Sequence, residues 1–166
     1  MDLNKIQSLL PPPEETPQPF ILLDAITMYS PERIKGLRRF EQTRNWQALE
    51  AAAQLASFHL RILKDFQWQT FLLSIEEFVP PSGPILNALV GFEAVLTYIS
   101  RYVAEYEVTL AERSLETRPK TGQTSRILAA GRLHIGMRPY SDEFKNLAEY
   151  YKKLGQNLCG NSFAIA

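Results

Sequence analysis

Apolar positions between Asn45 and Lys64, in NWQALEAAAQLASFHLRILK, recur at alternating spacings of three and four: Trp46, Leu49, Ala53, Ala56, Leu60 and Leu63. That is the period of one face of an α-helix. A second row, Ala48, Ala52, Leu55 and Ile62, widens the face and leaves Gln47, Glu50, Gln54, Ser57, Arg61 and Lys64 as a polar stripe. The pattern predicts a helix buried over most of its girth, with a solvated face as the default for the stripe. Five alanines between Ala48 and Ala56 remove side-chain bulk, so a neighbouring backbone or sheet can come close. Alanine is also the least costly residue in a helix. Thr43 or Asn45 is expected to cap its first free N–H groups.

Elsewhere the period shortens. Phe20 to Tyr29, FILLDAITMY, is a compact apolar run of strand length. Ser30, Pro31 and Glu32 make a turn, and Arg33 to Glu41 returns as a strand with Ile34 and Phe40 on one face. Trp68 to Val79 is rich in β-formers and stops at Pro80 and Pro81. Ile85 to Thr97 has the apolar content of a helix, but beyond it Tyr102, Ala104, Tyr106, Val108 and Leu110 alternate with Arg101, Glu105, Glu107 and Thr109. Two long strands over residues 85 to 114 are therefore preferred. Leu115 to Thr124 reads as a polar turn, and Arg126 to Met137 as the last strand. Ser141 is placed to cap a terminal helix, Asp142 to Leu154, with Phe144, Leu147, Tyr151 and Leu154 as its stripe and Gly155 as its stop.

Leu3 to Leu10 reads as a short helical turn halted by Pro11, Pro12 and Pro13. This order predicts an α+β protein, with residues 1–166 as a single domain: an arm over 1–19, a core over 20–138 and a helical appendage over 141–158. One helix cannot cover both faces of such a sheet. A homodimer or higher homo-oligomer is the expectation.

Composition narrows the class further. Eighteen basic residues balance eighteen acidic ones, so no electrostatic footprint for nucleic acid or an anionic membrane is visible. The single Cys159 can form neither an internal disulfide nor a metal cluster, and the chain calls for no cofactor. The opening MDLNKIQSLLPPPEE lacks the pattern of a signal peptide. The longest apolar run, Ile85 to Ile99, is broken by Asn87 and Glu93 and falls short of the roughly 20 residues of a membrane span. A soluble cytoplasmic protein is expected.

Two pieces, in order, resemble the hot-dog fold dehydratases that act on 3-hydroxyacyl thioesters of acyl carrier protein in fatty-acid synthesis. Leu9 to Thr27, LLPPPEETPQPFILLDAIT, is similar to the family's leucine-proline segment followed by Pro-Phe-Leu-Leu-Val-Asp, the match lying on Pro19 to Asp24. Leu49 to Gln54, LEAAAQ, resembles the Glu-Ala-Met-Ala-Gln opening of its central helix. The likeness extends loosely over residues 5 to 138. It implies a central helix wrapped by a curved antiparallel sheet, with a C-terminal amphipathic helix outside the likeness. It also implies a partner that is an acyl carrier protein or coenzyme A thioester, Glu50 at the catalytic carboxylate position, and Gln54 at the helix glutamine, beside the substrate. The family's Gly-His-Phe-Pro-Gly loop is missing: the equivalent count lands near Gly36, and the second family histidine corresponds to Thr16.

Dehydration needs a base for the α-proton, an acid for the departing hydroxyl and donors for the thioester oxygen. Glu50 can fill one of these roles. His59, nine residues on, lies roughly on the opposite side of the helix and about 13 Å along its axis, so it cannot be its partner. His134 is far away in sequence. Trp46, one turn before Glu50, is a candidate wall for an acyl tunnel, although an aromatic at helical spacing is more often plain core. Asp24 reads as a hydrogen-bonded strand-end carboxylate, Cys159 as an inert thiol, and Arg38 and Arg39 as a solvated pair that could dock an acidic carrier. Three classes remain open: a dehydratase or a thioesterase of the hot-dog type, a non-catalytic acyl-binding or carrier-binding module, and an unrelated structural domain.

Overall fold

The computed structural model describes residues 21–113 and 126–159. The expected arm and the Leu115–Thr124 turn lie outside these residues. The elements run β1 (Ala25–Ser30), β2 (Arg33–Thr43), α1 (Asn45–Leu63), β3 (Trp68–Val79), β4 (Ile85–Ile99), β5 (Val103–Arg113), β6 (Ile127–Pro139), a 3₁₀ turn (Asp142–Phe144) and α2 (Lys145–Cys159). The six strands form one antiparallel sheet in the order β1-β2-β4-β5-β6-β3. Helix α1 lies against β2, β3, β4, β5 and β6. This is the hot-dog arrangement, α+β, that the resemblance implies.

The two periodicities explain the architecture. Strand residues one apart face opposite sides, so Ala104, Tyr106, Val108 and Leu110 of β5 turn inward and are buried, as are Val90, Phe92 and Ala94 of β4 and Leu133, Ile135 and Met137 of β6. Register keeps these rows together: Phe92 opposes Leu110, and Tyr106 opposes Leu133. Ala48, Ala51, Ala52 and Ala56 meet them with negligible exposure, the close approach that small side chains allow. The alternation around residue 100 settles the region 85–114 as two strands. The second of these strands starts only at Val103. Tyr102 is exposed in the intervening turn, where the N–H and hydroxyl of Ser100 both donate to the Val103 carbonyl.

Three boundaries differ from the expectation. The Phe20–Tyr29 strand is pared down to Ala25–Ser30 because Asp24 ties the chain off: its carboxylate accepts the Arg39 N–H at 2.7 Å and Arg38 Nη1 at 2.6 Å. Leu22 and Leu23 are thereby turned into the core rather than into the ladder. At the start of α1, Arg44 is the N-cap, and its N–H is satisfied by Gln47 Oε1 at 2.8 Å; the side chains of Thr43 and Asn45 lie outside those described. At the C-terminus Gly155 does not stop the helix. It is buried inside α2, because Leu158 and Cys159, one turn further on, join the core.

The end of α1 is sharp. Asp65 and Phe66 take left-handed φ values of 49° and 56°, and the Phe66 N–H closes back on the Arg61 carbonyl at 2.7 Å, a 6→1 helix stop. The buried Phe66 ring anchors this strained corner and fixes the last turn, which carries Arg61. Among the described residues no helix is long and apolar enough to cross a membrane.

Candidate functional site

Glu50 and Gln54 sit one turn apart on α1, and the structure brings them together: Gln54 Nε2 donates to Glu50 Oε1 at 3.0 Å. The Gln54 carbonyl is itself fixed by the Leu22 N–H, at 2.9 Å. Leu22 has that N–H to give because Asp24 has taken the chain out of the ladder. The second carboxylate oxygen, Glu50 Oε2, has no protein hydrogen bond among the described residues.

Both side chains line a cavity of about 290 Å³ between α1, β3 and α2. Its walls are Ala53, Ser57, Phe58 and Arg61 from α1, Thr70, Phe71 and Leu72 from β3, Tyr151 from α2, and Ile21. The polar stripe Glu50, Gln54, Ser57, Arg61, spaced four, three and four, therefore faces this cavity rather than bulk solvent. Only the other stripe members, Gln47 and Lys64, lie off it. Arg61 and Thr70 are 6% and 7% exposed. The Arg61 guanidinium lies 3.9 Å from the Tyr151 ring centroid, and its Nη2 donates to the Thr70 carbonyl at 3.3 Å. Phe58 meets Tyr151 edge to face.

A larger cavity, about 500 Å³, lies at the other end of the sheet around the Pro80–Pro84 loop. None of the candidate site residues lines it. Trp46 is 51% exposed and is not among the residues lining the Glu50 cavity.

Neither histidine joins Glu50. His59 is fully buried on the far side of α1, and its pKa is lowered, first by desolvation and against the opposing pull of the Ser30 carbonyl and Glu32. Its Nε2 lies 2.8 Å from the Ser30 carbonyl, which can only accept, so the proton sits on Nε2; Nδ1 then accepts the Tyr106 O–H at 2.9 Å. Burial likewise raises the Tyr106 phenol. His134 stands on the outer face of the sheet between Ser74, 2.9 Å from Nδ1, and Glu105, 3.3 Å from Nε2. Asp24 is the hydrogen-bonded carboxylate expected. Its partner Arg38 is engaged in that pair. Cys159 is buried, and burial pushes its thiol up. Among the described residues no group of His, Cys, Asp and Glu is arranged to hold a metal.

Sequence reasoning missed Arg61, Thr70 and Tyr151. The spacing of Arg61 from Glu50 was the available signal. Thr70 and Tyr151 come from elements whose approach only the fold sets.

No protein-family model and no curated protein matches the chain in sequence. In three dimensions it is similar to the dehydratase heterocomplex ApeI:P from Xenorhabdus doucetiae, with a TM-score of 0.58, 16% identity, and coverage of 78% of this chain and 90% of that one. It is also similar to a mutant thioesterase from Pseudomonas aeruginosa, with a TM-score of 0.56, 13% identity, and coverage of 84% and 96%. A third likeness is to a hypothetical thioesterase from Streptococcus pneumoniae solved with coenzyme A, with a TM-score of 0.51, 8% identity, and coverage of 70% and 87%. At these identities the shared property is the hot-dog fold.

Proposed function

We propose that the chain hydrolyses acyl thioesters, of coenzyme A or of acyl carrier protein, with Glu50 as the catalytic base. The observation that carries this reading is the Leu22–Gln54–Glu50 chain of hydrogen bonds at the mouth of an acyl-sized cavity. It orients one carboxylate oxygen and leaves the other for a water. Glu50 takes a proton from that water, the oxygen attacks the thioester carbonyl, the C–S bond breaks, and the thiolate leaves with the proton. A thioester needs only one acid–base group for this, and the described lining holds one carboxylate. The likeness to thioesterases, one of them solved with coenzyme A, supports the substrate class.

Dehydration of a 3-hydroxyacyl thioester is a second reading, favoured by the LEAAAQ motif and by the likeness to a dehydratase heterocomplex. It needs a second acid–base group. Among the described lining residues only the Tyr151 phenol fits that role, and it stacks on Arg61, about 16 Å along the helix from Glu50.

The assembly is proposed to be a homodimer joined through β3. Among the described residues this strand pairs with β6 on one side only, and Phe71, Leu72, Leu73, Ile75 and Val79 are all exposed on it. A long apolar edge of this kind is a template for another strand.

The test is incubation with saturated acyl and 3-hydroxyacyl thioesters. Release of free thiol from the saturated ester, lost by a factor of about 10²–10⁴ in Glu50→Gln, is the expected result. Water loss without thiol release would favour the dehydratase. Ligand-induced stabilisation with no turnover of either substrate would make the chain a binding module.

A further inference from the structure

Arg61 is a buried cation. Among the described residues no carboxylate forms an ion pair with it, and its Nε has no hydrogen-bond partner. Thr70 Oγ1, on the facing strand, is also buried and unpartnered. Both residues are more than nine-tenths buried and both line the cavity that holds Glu50. A guanidinium has five N–H donors. One of them makes a 3.3 Å bond to the Thr70 carbonyl, and the Tyr151 ring covers one face. Desolvated charge and orphaned polar atoms in this part of the cavity are unfavourable unless something enters to pair with them.

The order of the stripe gives that something a position. Glu50 and Gln54 stand at one end, Ser57 in the middle and Arg61 eleven residues on, about 16 Å along the axis. A thioester carbonyl held at Glu50 directs its acyl chain past Ala53, Phe58 and Phe71 toward Arg61. The cavity, about 290 Å³, lies at the small end of ligand pockets, which suits a short or medium chain. We propose that Arg61 and Thr70 form a carboxylate subsite, so that the preferred ligand is the half-thioester of a dicarboxylic acid, its free carboxylate paired with the Arg61 fork and accepting the Thr70 hydroxyl. A planar carboxylate matches the guanidinium fork in charge and shape. A methyl-ended chain would leave Nε and Oγ1 as they stand.

This inference rests on the thioester reading above, and the experiment separates the two. Non-hydrolysable thioether analogues of acyl-coenzyme A, matched in chain length and ending in either methyl or carboxylate, are titrated calorimetrically into the wild-type protein. The carboxylate-ended analogue is expected to bind about tenfold tighter or better. That advantage should vanish in Arg61→Met and shrink in Thr70→Val, with methyl-ended binding retained. Equal binding of the two analogues by the wild type, or a preference for methyl, overturns the subsite and leaves the thioester reading intact. Failure of the wild type to bind either analogue overturns both. The wild-type comparison decides the matter even if a variant does not fold.

Discussion

The side-chain amide of Gln54 bridges the backbone of Leu22 to the carboxylate of Glu50, accepting at 2.9 Å and donating at 3.0 Å. One residue thus joins the segment before β1, the central helix and the proposed base. Replacing Gln54 by Leu would leave the Leu22 N–H unpaired in a partly buried place and release Glu50 Oε1. We expect a loss of about 1–2 kcal/mol in denaturant unfolding. Thiol release should fall at least about tenfold, with little change in substrate KM. Full activity with unchanged stability would remove Gln54 from the site.

Burial makes His59 a pH-dependent element of the core. Its pKa is lowered in the folded chain, chiefly by desolvation, so below the unfolded value of about 6.5 the unfolded chain binds the extra proton and the folded one resists it. The stabilisation is complete above that value and is lost as pH falls toward the lowered folded pKa. Unfolding midpoints should drop between pH 7.5 and 5.5. The diagnostic is the difference from His59→Gln, whose midpoint should fall less steeply over the same interval. Parallel pH slopes for the two proteins would exclude His59 as the source.

Tyr106 sits on the other side of this pair, fully buried, with its O–H used by His59 Nδ1. In Tyr106→Phe the ring's apolar burial is kept and one buried acceptor is orphaned, at an expected cost of about 1–3 kcal/mol. The midpoint shift in urea measures it; a neutral outcome would mean that a water replaces the phenol.

The helix and most strands were legible because each carries a clean period over a long run: three and four from Trp46 to Leu63, two from Ala104 to Leu110. What the pattern could not resolve was the direction in which polar residues face when the surroundings are themselves protein. Glu50, Gln54, Ser57 and Arg61 have the spacing of a solvated stripe, and only the approach of β3 and α2 encloses them. Trp46 shows the converse, an aromatic in phase with the buried row that ends up half exposed on the first turn. Gly155 failed as a stop because Leu158 and Cys159 gain more from burial than a helix loses by containing one glycine, about 1 kcal/mol.

Strand β3 offers a test of assembly that does not depend on activity. Ile75 is 43% exposed on the unpaired edge, and a lysine there would set a charge against the proposed partner strand. Sedimentation is expected to show a dimer for the wild type and a monomer for Ile75→Lys, with the far-ultraviolet spectrum unchanged. A monomeric wild type would remove the homodimer from the proposal.

Two glycines of the sheet make opposite predictions from the same construction. A Cβ on Gly131 would stand 2.6 Å from Phe78 Cα and 2.8 Å from Phe78 Cδ2. The first of these is backbone of β3, and Phe78 packs on the core, so neither neighbour can swing away without shifting the edge strand. Gly131→Ala should therefore destabilise by about 1–3 kcal/mol, the range for an overfilled interior. A Cβ on Gly91 would meet Arg113 Nε at 2.7 Å, but Arg113 is an exposed, flexible side chain at the end of β5 and can move aside. Gly91→Ala should stay within about 0.5 kcal/mol of the wild type. Equal midpoints for the two variants would mean that β3 yields at Phe78, and the register of Val79 opposite Ala130 would then be softer than the ladder implies.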